Sequence, residues 1–169
     1  TGETVLSFDG TNDYVDCGNG SSLDITDNMT LSVWVKWNSF KDFGPVVNKT
    51  WGGATLTSNY ALWSYANRIV SFWISDGVSS NSVGTSLSPN IWYHIVAVVN
   101  NTNVMMYVNN TLKQSTNRTI NPKPNTYHLN ISIQSYSIDG LIDDVRIYNR
   151  ALSADEIQAL YSSSVGRYH

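Results

Sequence analysis

The chain of 169 residues is short of several things, and each shortage excludes something. It has one cysteine, Cys17, so no disulfide can form within it. Glutamate occurs only at Glu3 and Glu156, so the paired-glutamate chemistry common among glycoside hydrolases has no candidate. There is no basic block: 10 Lys and Arg stand against 13 Asp and Glu, for a net charge of −3. A phosphate-backbone partner is thereby disfavoured, and nucleic acid is not an expected ligand. No apolar run approaches the roughly 18 residues of a membrane-crossing helix. No leader peptide is visible. The sequence opens at Thr1-Gly2-Glu3 directly into a strand pattern, as expected of a mature fragment or a module of a longer protein.

Aromatic residues are plentiful at 12%, whereas charged ones make up only 14%. Asn, Ser and Thr take the place of the missing charges, a surface suited to an exported β protein, extracellular or at the cell surface. Seven Asn-x-Ser/Thr sequons, at Asn19, Asn28, Asn48, Asn100, Asn109, Asn117 and Asn130, exceed only slightly the roughly four expected by chance.

Period-two alternation dominates the chain. Strands are predicted over residues 4–8, 14–17, 29–37, 45–49, 59–65, 68–75, 91–99, 104–108, 112–115 and 127–134, and again from residue 138. In residues 29–37 (MTLSVWVKW), Leu31, Val33, Val35 and Trp37 share one face, and Ser32, Trp34 and Lys36 share the other. The near-continuous apolar run 91–99 (IWYHIVAVV) predicts a strand covered on both sides. Asn109-Asn110 predicts a tight hairpin, because both residues tolerate positive φ. The spacing about Ala66-Asn67 predicts another. If Tyr65 pairs with Arg68, then Trp63, Tyr65, Val70, Phe72 and Ile74 share the core face. Tyr60, Leu62, Ser64, Ile69, Ser71 and Trp73 then lie on the other. Residues 76–90, rich in Ser and Gly, read as a loop.

The end of the chain predicts one short helix. Ser153 is placed to cap it, with Glu156 completing a capping box and Ile157, Leu160 and Tyr161 forming an apolar stripe. The whole is therefore an all-β chain, an antiparallel two-sheet jelly-roll sandwich with a short C-terminal helix. Residues 1–162 are expected to form the domain and 163–169 a tail or linker.

Several segments, in order, carry a family pattern. They are Phe8-Asp9-Gly10 with Tyr14-Val15, LSVWVKW at 31–37, Trp92-Tyr93-His94, and IDDVRIYNRALSADEIQALY at 142–161. Together they resemble the laminin G-like, concanavalin A-like lectin-glucanase jelly-roll domains over essentially the whole chain. The resemblance implies adjacent first and last strands, with a structural calcium (Ca2+) near them. Carried over residue by residue, its ligands would be Asp9, Gly10 by its carbonyl, Asn12 and Asp143, with Asp144 beside them. Hard oxygen donors of this kind suit calcium. The plainer alternative is turn residues plus an ion pair of an Asp with Arg146 or Arg150.

Members of this family act as sugar-binding modules, as adhesion modules with protein partners, or as domains appended to exported enzymes. Sugar rings stack on aromatic side chains, which makes Trp51, Tyr60, Trp63, Tyr65 and Trp73 the candidates here, with Arg68, Asn59, Asn67 and Asp76 as polar companions. Trp34, Trp92 and Phe72 are expected in the core. Catalysis finds no support. Besides the missing glutamate pair, Asp143 and Asp144 point to opposite faces of a regular strand. His94 lies in an apolar strand, and His128 and His169 have no partners in the sequence. Cys17 is expected to be a small buried residue. The reading reached is a non-catalytic, calcium-stabilised carbohydrate-binding module for a glycan or polysaccharide. The alternatives are an adhesion or structural module with a protein partner, and a domain appended to an exported glycan-active enzyme.

Overall fold

The computed structural model describes residues 4–49 and 59–168. Among the described residues, twelve strands form two six-stranded antiparallel sheets. The first holds β1 (Leu6–Asp9), β12 (Asp139–Tyr148), β3 (Met29–Ser39), β8 (Tyr93–Val99), β9 (Asn103–Val108) and β10 (Thr111–Asn117), in that spatial order. The second holds β2 (Val15–Asp16), β11 (Asn130–Ile131), β4 (Gly44–Asn48), β5 (Tyr60–Ser64), β6 (Ile69–Ser75) and β7 (Ser80–Ser86). First and last strands are adjacent, with Phe8 opposite Gly140 and Asp9 opposite Asp139. Gly140 is required there, since a Cβ would meet the Lys36 carbonyl oxygen at 2.3 Å. Among the described residues, no helix is long and apolar enough to cross a membrane.

Alternation decides which side chains fill the space between the sheets. Leu31, Val33, Val35 and Trp37 of β3 point inward with Leu62, Phe72 and Ile95, all fully buried. Burying each such side chain contributes about 1.5–3 kcal/mol. The opposite face of the first sheet is covered as well. Val96 and Val98 of β8 pack beneath Leu152 and Ile157, which explains the unbroken apolar run in that strand.

The cover is helix α1 (Ala154–Ser164), started by the predicted capping box. Ser153 Oγ accepts from the Glu156 N–H at 3.3 Å, and Glu156 Oε2 accepts from the Ser153 N–H at 2.9 Å. Arg150 and the Ser153 N–H together hold the Glu156 carboxyl down, to about 2. This glutamate is spent on the helix start.

The segment expected to be a tail instead continues the helix and packs. The Tyr168 ring stacks on Trp34 at 4.2 Å, and its hydroxyl donates to Asp143 Oδ2 at 2.6 Å. Burial, followed by that carboxylate, pushes the Tyr168 phenol up. Trp34 is fully buried, although it lies under the helix and not between the sheets, and its Nε1–H donates to Ser164 Oγ at 3.0 Å. Trp92, expected in the core, is half-buried against Tyr168.

Four expectations require correction. Residues 80–86 form an edge strand, which Ser-rich sequence with the single buried apolar residue Val83 does not announce. The strand expected over 127–134 shrinks to Asn130–Ile131. Cys17 is exposed. The sequon at Asn48 lies at a fully buried position, unfit as a glycan acceptor.

His94 lies within this packing, 2% exposed, stacked on Trp34 with Nε2 2.8 Å from Ser32 Oγ. Burial lowers its pKa to about 4; Asp144 raises it and Arg146 lowers it, both by smaller amounts. The native state therefore binds fewer protons than the unfolded chain between about pH 6.5 and 4. Stability is complete above that window and declines as pH falls through it, by up to about 3 kcal/mol. The melting temperature is expected to be flat above pH 7 and to fall below pH 6.5, with a shallower fall in His94→Gln. Parallel profiles for the two proteins would assign the acid sensitivity elsewhere.

Candidate functional site

The residues expected to hold calcium are not brought together. Asp9 faces Asp139, four residues from Asp143 along β12, a separation of roughly 13 Å at the rise of a strand. Near Asp9 the oxygens already have donors. Asp9 Oδ1 accepts from the Thr11 N–H, Asp13 Oδ2 from the Asp9 N–H, and Asp139 from Asn38 and Ser39. Asn12 is exposed on the same turn. The Gly10 carbonyl accepts from the Lys41 ammonium at 2.6 Å, so a side-chain cation stands where the metal was expected.

At the far set, Asp144 has φ +49° and sits in a β-bulge where the register between β12 and β3 shifts. The bulge places both acids on the helix-bearing face, not on opposite faces. Asp143 takes the Tyr168 hydroxyl, and Asp144 chelates Arg146 at 2.7 and 2.9 Å. The plainer alternative, an Asp–Arg pair, describes Asp144. No group of three or more His, Cys, Asp or Glu side chains suited to a metal occurs among the described residues. The donor set as placed does not fit one calcium ion.

The aromatic candidates sort differently from their expected faces. In the β5–β6 hairpin Ser64 pairs with Val70, and Tyr60 with Ile74, one residue out of the expected register. Arg68 causes the slip. It adopts φ +68° and takes up one extra residue in the turn, while Asn67 Oδ1 accepts from the Ile69 N–H at 3.1 Å. A one-residue slip exchanges the faces. Tyr60 therefore points into the core, fully buried, its hydroxyl donating to the Leu23 carbonyl, and it is withdrawn from the binding set. Trp63, Tyr65 and Trp73 share the outward face of the second sheet. Trp51 lies outside the described residues.

Across that outward face the register sets rows. Pro45, Trp63, Ser71 and Gly84 form one row, and Ala61, Trp73 and Ser82 the next. Trp63 is 1% exposed and its Nε1–H donates to Asn48 Oδ1 at 3.2 Å, so it supports the surface from below. Tyr65 and Trp73 are half-buried. Burial pushes the Tyr65 phenol up. Beside Trp73 a groove of about 390 Å³ runs over Ile69, Ser71, Ser82, Gly84, Ser86 and Gln114. Arg68 is exposed at the hairpin tip. Among the described residues, Trp73 Nε1 and both polar atoms of the buried Asn59 side chain have no hydrogen-bond partner.

Two members of this surface have no sequence signal. Phe43, 46% exposed, touches Trp63, Tyr65 and Tyr136 edge-on at ring separations of 6.2, 5.9 and 6.2 Å. Tyr136 is 43% exposed. Both stand in connections between strands, where no periodicity marks a face. Phe43 also adopts φ +58°, a conformation that costs a bulky residue about 1–2 kcal/mol.

Comparison with known proteins fits this architecture. A family model described as the concanavalin A-like lectin/glucanases superfamily matches residues 9–158. No curated protein sequence matches the chain. Among solved structures, the ligand-binding domain of botulinum neurotoxin serotype D, in complex with N-acetylneuraminic acid, superimposes with a TM-score of 0.78 at 17% identity, covering 97% of this chain and 45% of that one. A structure of botulinum neurotoxin type C, whose cell entry is described as dependent on two ganglioside molecules, gives 0.75 at 16%, covering 95% and 44%. The binding domain of botulinum neurotoxin DC in complex with rat synaptotagmin II gives 0.66 at 15%, covering 89% and 40%. The chain thus spans less than half the length of these structures, and at such identities the likeness is one of fold.

The strain at Phe43 makes a prediction. Asn tolerates positive φ, so Phe43→Asn is expected to leave the melting temperature unchanged or slightly raised. A fall above about 4 °C, equivalent to 1–2 kcal/mol at this chain length, would show that Phe43 is kept for packing and not for its exposed ring.

Proposed function

Because the chain belongs to the concanavalin A-like lectin/glucanase superfamily as a laminin G-like jelly roll, we propose that it is a non-catalytic carbohydrate-binding module of an exported protein. Its site is the outward face of the second sheet. Sugar rings stack on Trp73, Tyr65 and Phe43, and Tyr136 extends the platform. The hydroxyls of Ser71, Ser82 and Ser86 line the adjoining groove, and exposed Arg68 stands at its rim. One observation carries the reading: half-buried and exposed aromatic rings adjoin a groove edged by serine hydroxyls on the sheet face opposite the core. Stacking surface with a few polar groups beside it is the composition of a small-ligand site.

The neighbouring structures support the same class of ligand, since two of them are described with N-acetylneuraminic acid or gangliosides. A protein partner is the second reading, favoured by the neighbour described with synaptotagmin II. Absence of catalysis is supported by Glu156, which is fully engaged by Ser153 and Arg150.

A glycan array followed by titration tests the proposal. The native protein is expected to bind a defined glycan class. Trp73→Ala and Phe43→Asn are expected to weaken that binding at least tenfold, about 1.4 kcal/mol each, with the fold intact by circular dichroism. Binding to no glycan would transfer the face to a protein ligand. Glycan binding that both variants retain would place the site elsewhere.

A further inference from the structure

We propose that the Lys49 ammonium is a built-in structural cation, doing elsewhere in this sandwich the kind of segment-tying for which the family resemblance implies calcium at the first and last strands. The inference is independent of what the outward face binds.

Lys49 follows β4 directly, and its side chain is 0% exposed. Its Nζ lies 2.9 Å from Asp24 Oδ1, 2.8 Å from Asn19 Oδ1 and 2.9 Å from the Tyr127 carbonyl oxygen. Asn125 adds its Oδ1 at 3.3 Å and its carbonyl oxygen at 3.5 Å. An ammonium has three N–H groups, so five oxygens around it form a cage for a cation more than a set of directed hydrogen bonds. They come from two segments far apart in sequence, the loop of Asn19 and Asp24 and the loop of Asn125 and Tyr127, which the lysine joins to the end of β4. Backbone contacts brace the cage, with Asn125 Nδ2 donating to the Lys49 carbonyl at 3.0 Å and the Tyr127 N–H to Asn125 Oδ1 at 2.9 Å.

Distance decides which cation the cage suits. Calcium takes its oxygens at about 2.3–2.6 Å, whereas here they stand 2.8–3.5 Å from the centre. That spacing fits an ammonium. The ion is supplied by the chain itself, so its occupancy does not depend on calcium concentration. At one expected ligand, the Gly10 carbonyl, the exposed Lys41 ammonium makes a single such contact at 2.6 Å.

Removing the charge while keeping the bulk leaves the Asp24 carboxylate and four further oxygens facing a thioether. Lys49→Met is therefore expected to lower the melting temperature by about 10 °C. Asp24→Asn, which leaves the cage mostly intact, is expected to lower it by a few degrees and serves if Lys49→Met does not fold. The native protein is expected to melt at the same temperature, within about 1 °C, in EGTA and in millimolar CaCl2. A chelator-induced fall of several degrees in the native protein, reversed by calcium, would overturn the proposal, as would native-like melting of both variants. Glycan titration of Asp24→Asn reads the binding face separately, so failure of either proposal is distinguishable from failure of the other.

Discussion

The structure depends on how β12 is held between β1 and β3. Its first half pairs antiparallel with β3 after a register shift between Asp139 and Gly140, and Gly140 lets the two strands lie close. Its second half is bulged at Asp144, which adopts φ +49°. This second irregularity turns Asp143 toward Tyr168 and Asp144 toward Arg146, both on the outer face of the first sheet. The C-terminal helix is thereby fastened over Trp34, His94, Val96 and Val98, and this face is occupied. The other sheet is left with the outward face on which a ligand can settle. The proposed binding surface and the fold are thus linked through a strand that lies outside that surface.

Much of this was legible in the sequence, because it rests on periodicity and capping. Alternation in β3, the doubly covered β8, the Asn109-Asn110 turn and the Ser153–Glu156 box all follow from local chemistry that tertiary packing reinforces. The parts that were not legible share a cause. Each depends on one residue in the left-handed region or on a segment without apolar period. Arg68 shifts the β5–β6 register and exchanges Tyr60 with Trp63 and Tyr65 between faces. Asp144 reverses the expected sense of its own side chain. The β7 strand is nearly all small polar residues, and its pairing with β6 is what makes it a strand. Phe43 and Tyr136 reach the aromatic surface from connections, where a sequence offers no face to assign.

The acidic residues show how identical residue types change role with register. A resemblance places Asp9 and Asp143 at matching motif positions, but pairing of Asp9 with Asp139 keeps them apart. Cations come instead from two lysines, one exposed at Gly10 and one fully buried at a separate place among Asn19, Asp24, Asn125 and Tyr127. An unpaired buried charge is costly, so the buried lysine and its cage stand or fall together.

The central claim is that ligand settles on the outward face of the second sheet. Five of the six tryptophans, all but Trp51, divide usefully for this purpose. Trp63 and Trp73 belong to that face, Trp37 to the core, and Trp34 and Trp92 to the helix side. Indole N–H resonances, assigned by single substitution and followed during titration with the glycan that binds best on an array, report directly on which face is used. The account predicts that the Trp73 resonance shifts most, with Trp63 moving less and Trp34 and Trp37 unmoved. Shifts confined to Trp34 and Trp92 would contradict it.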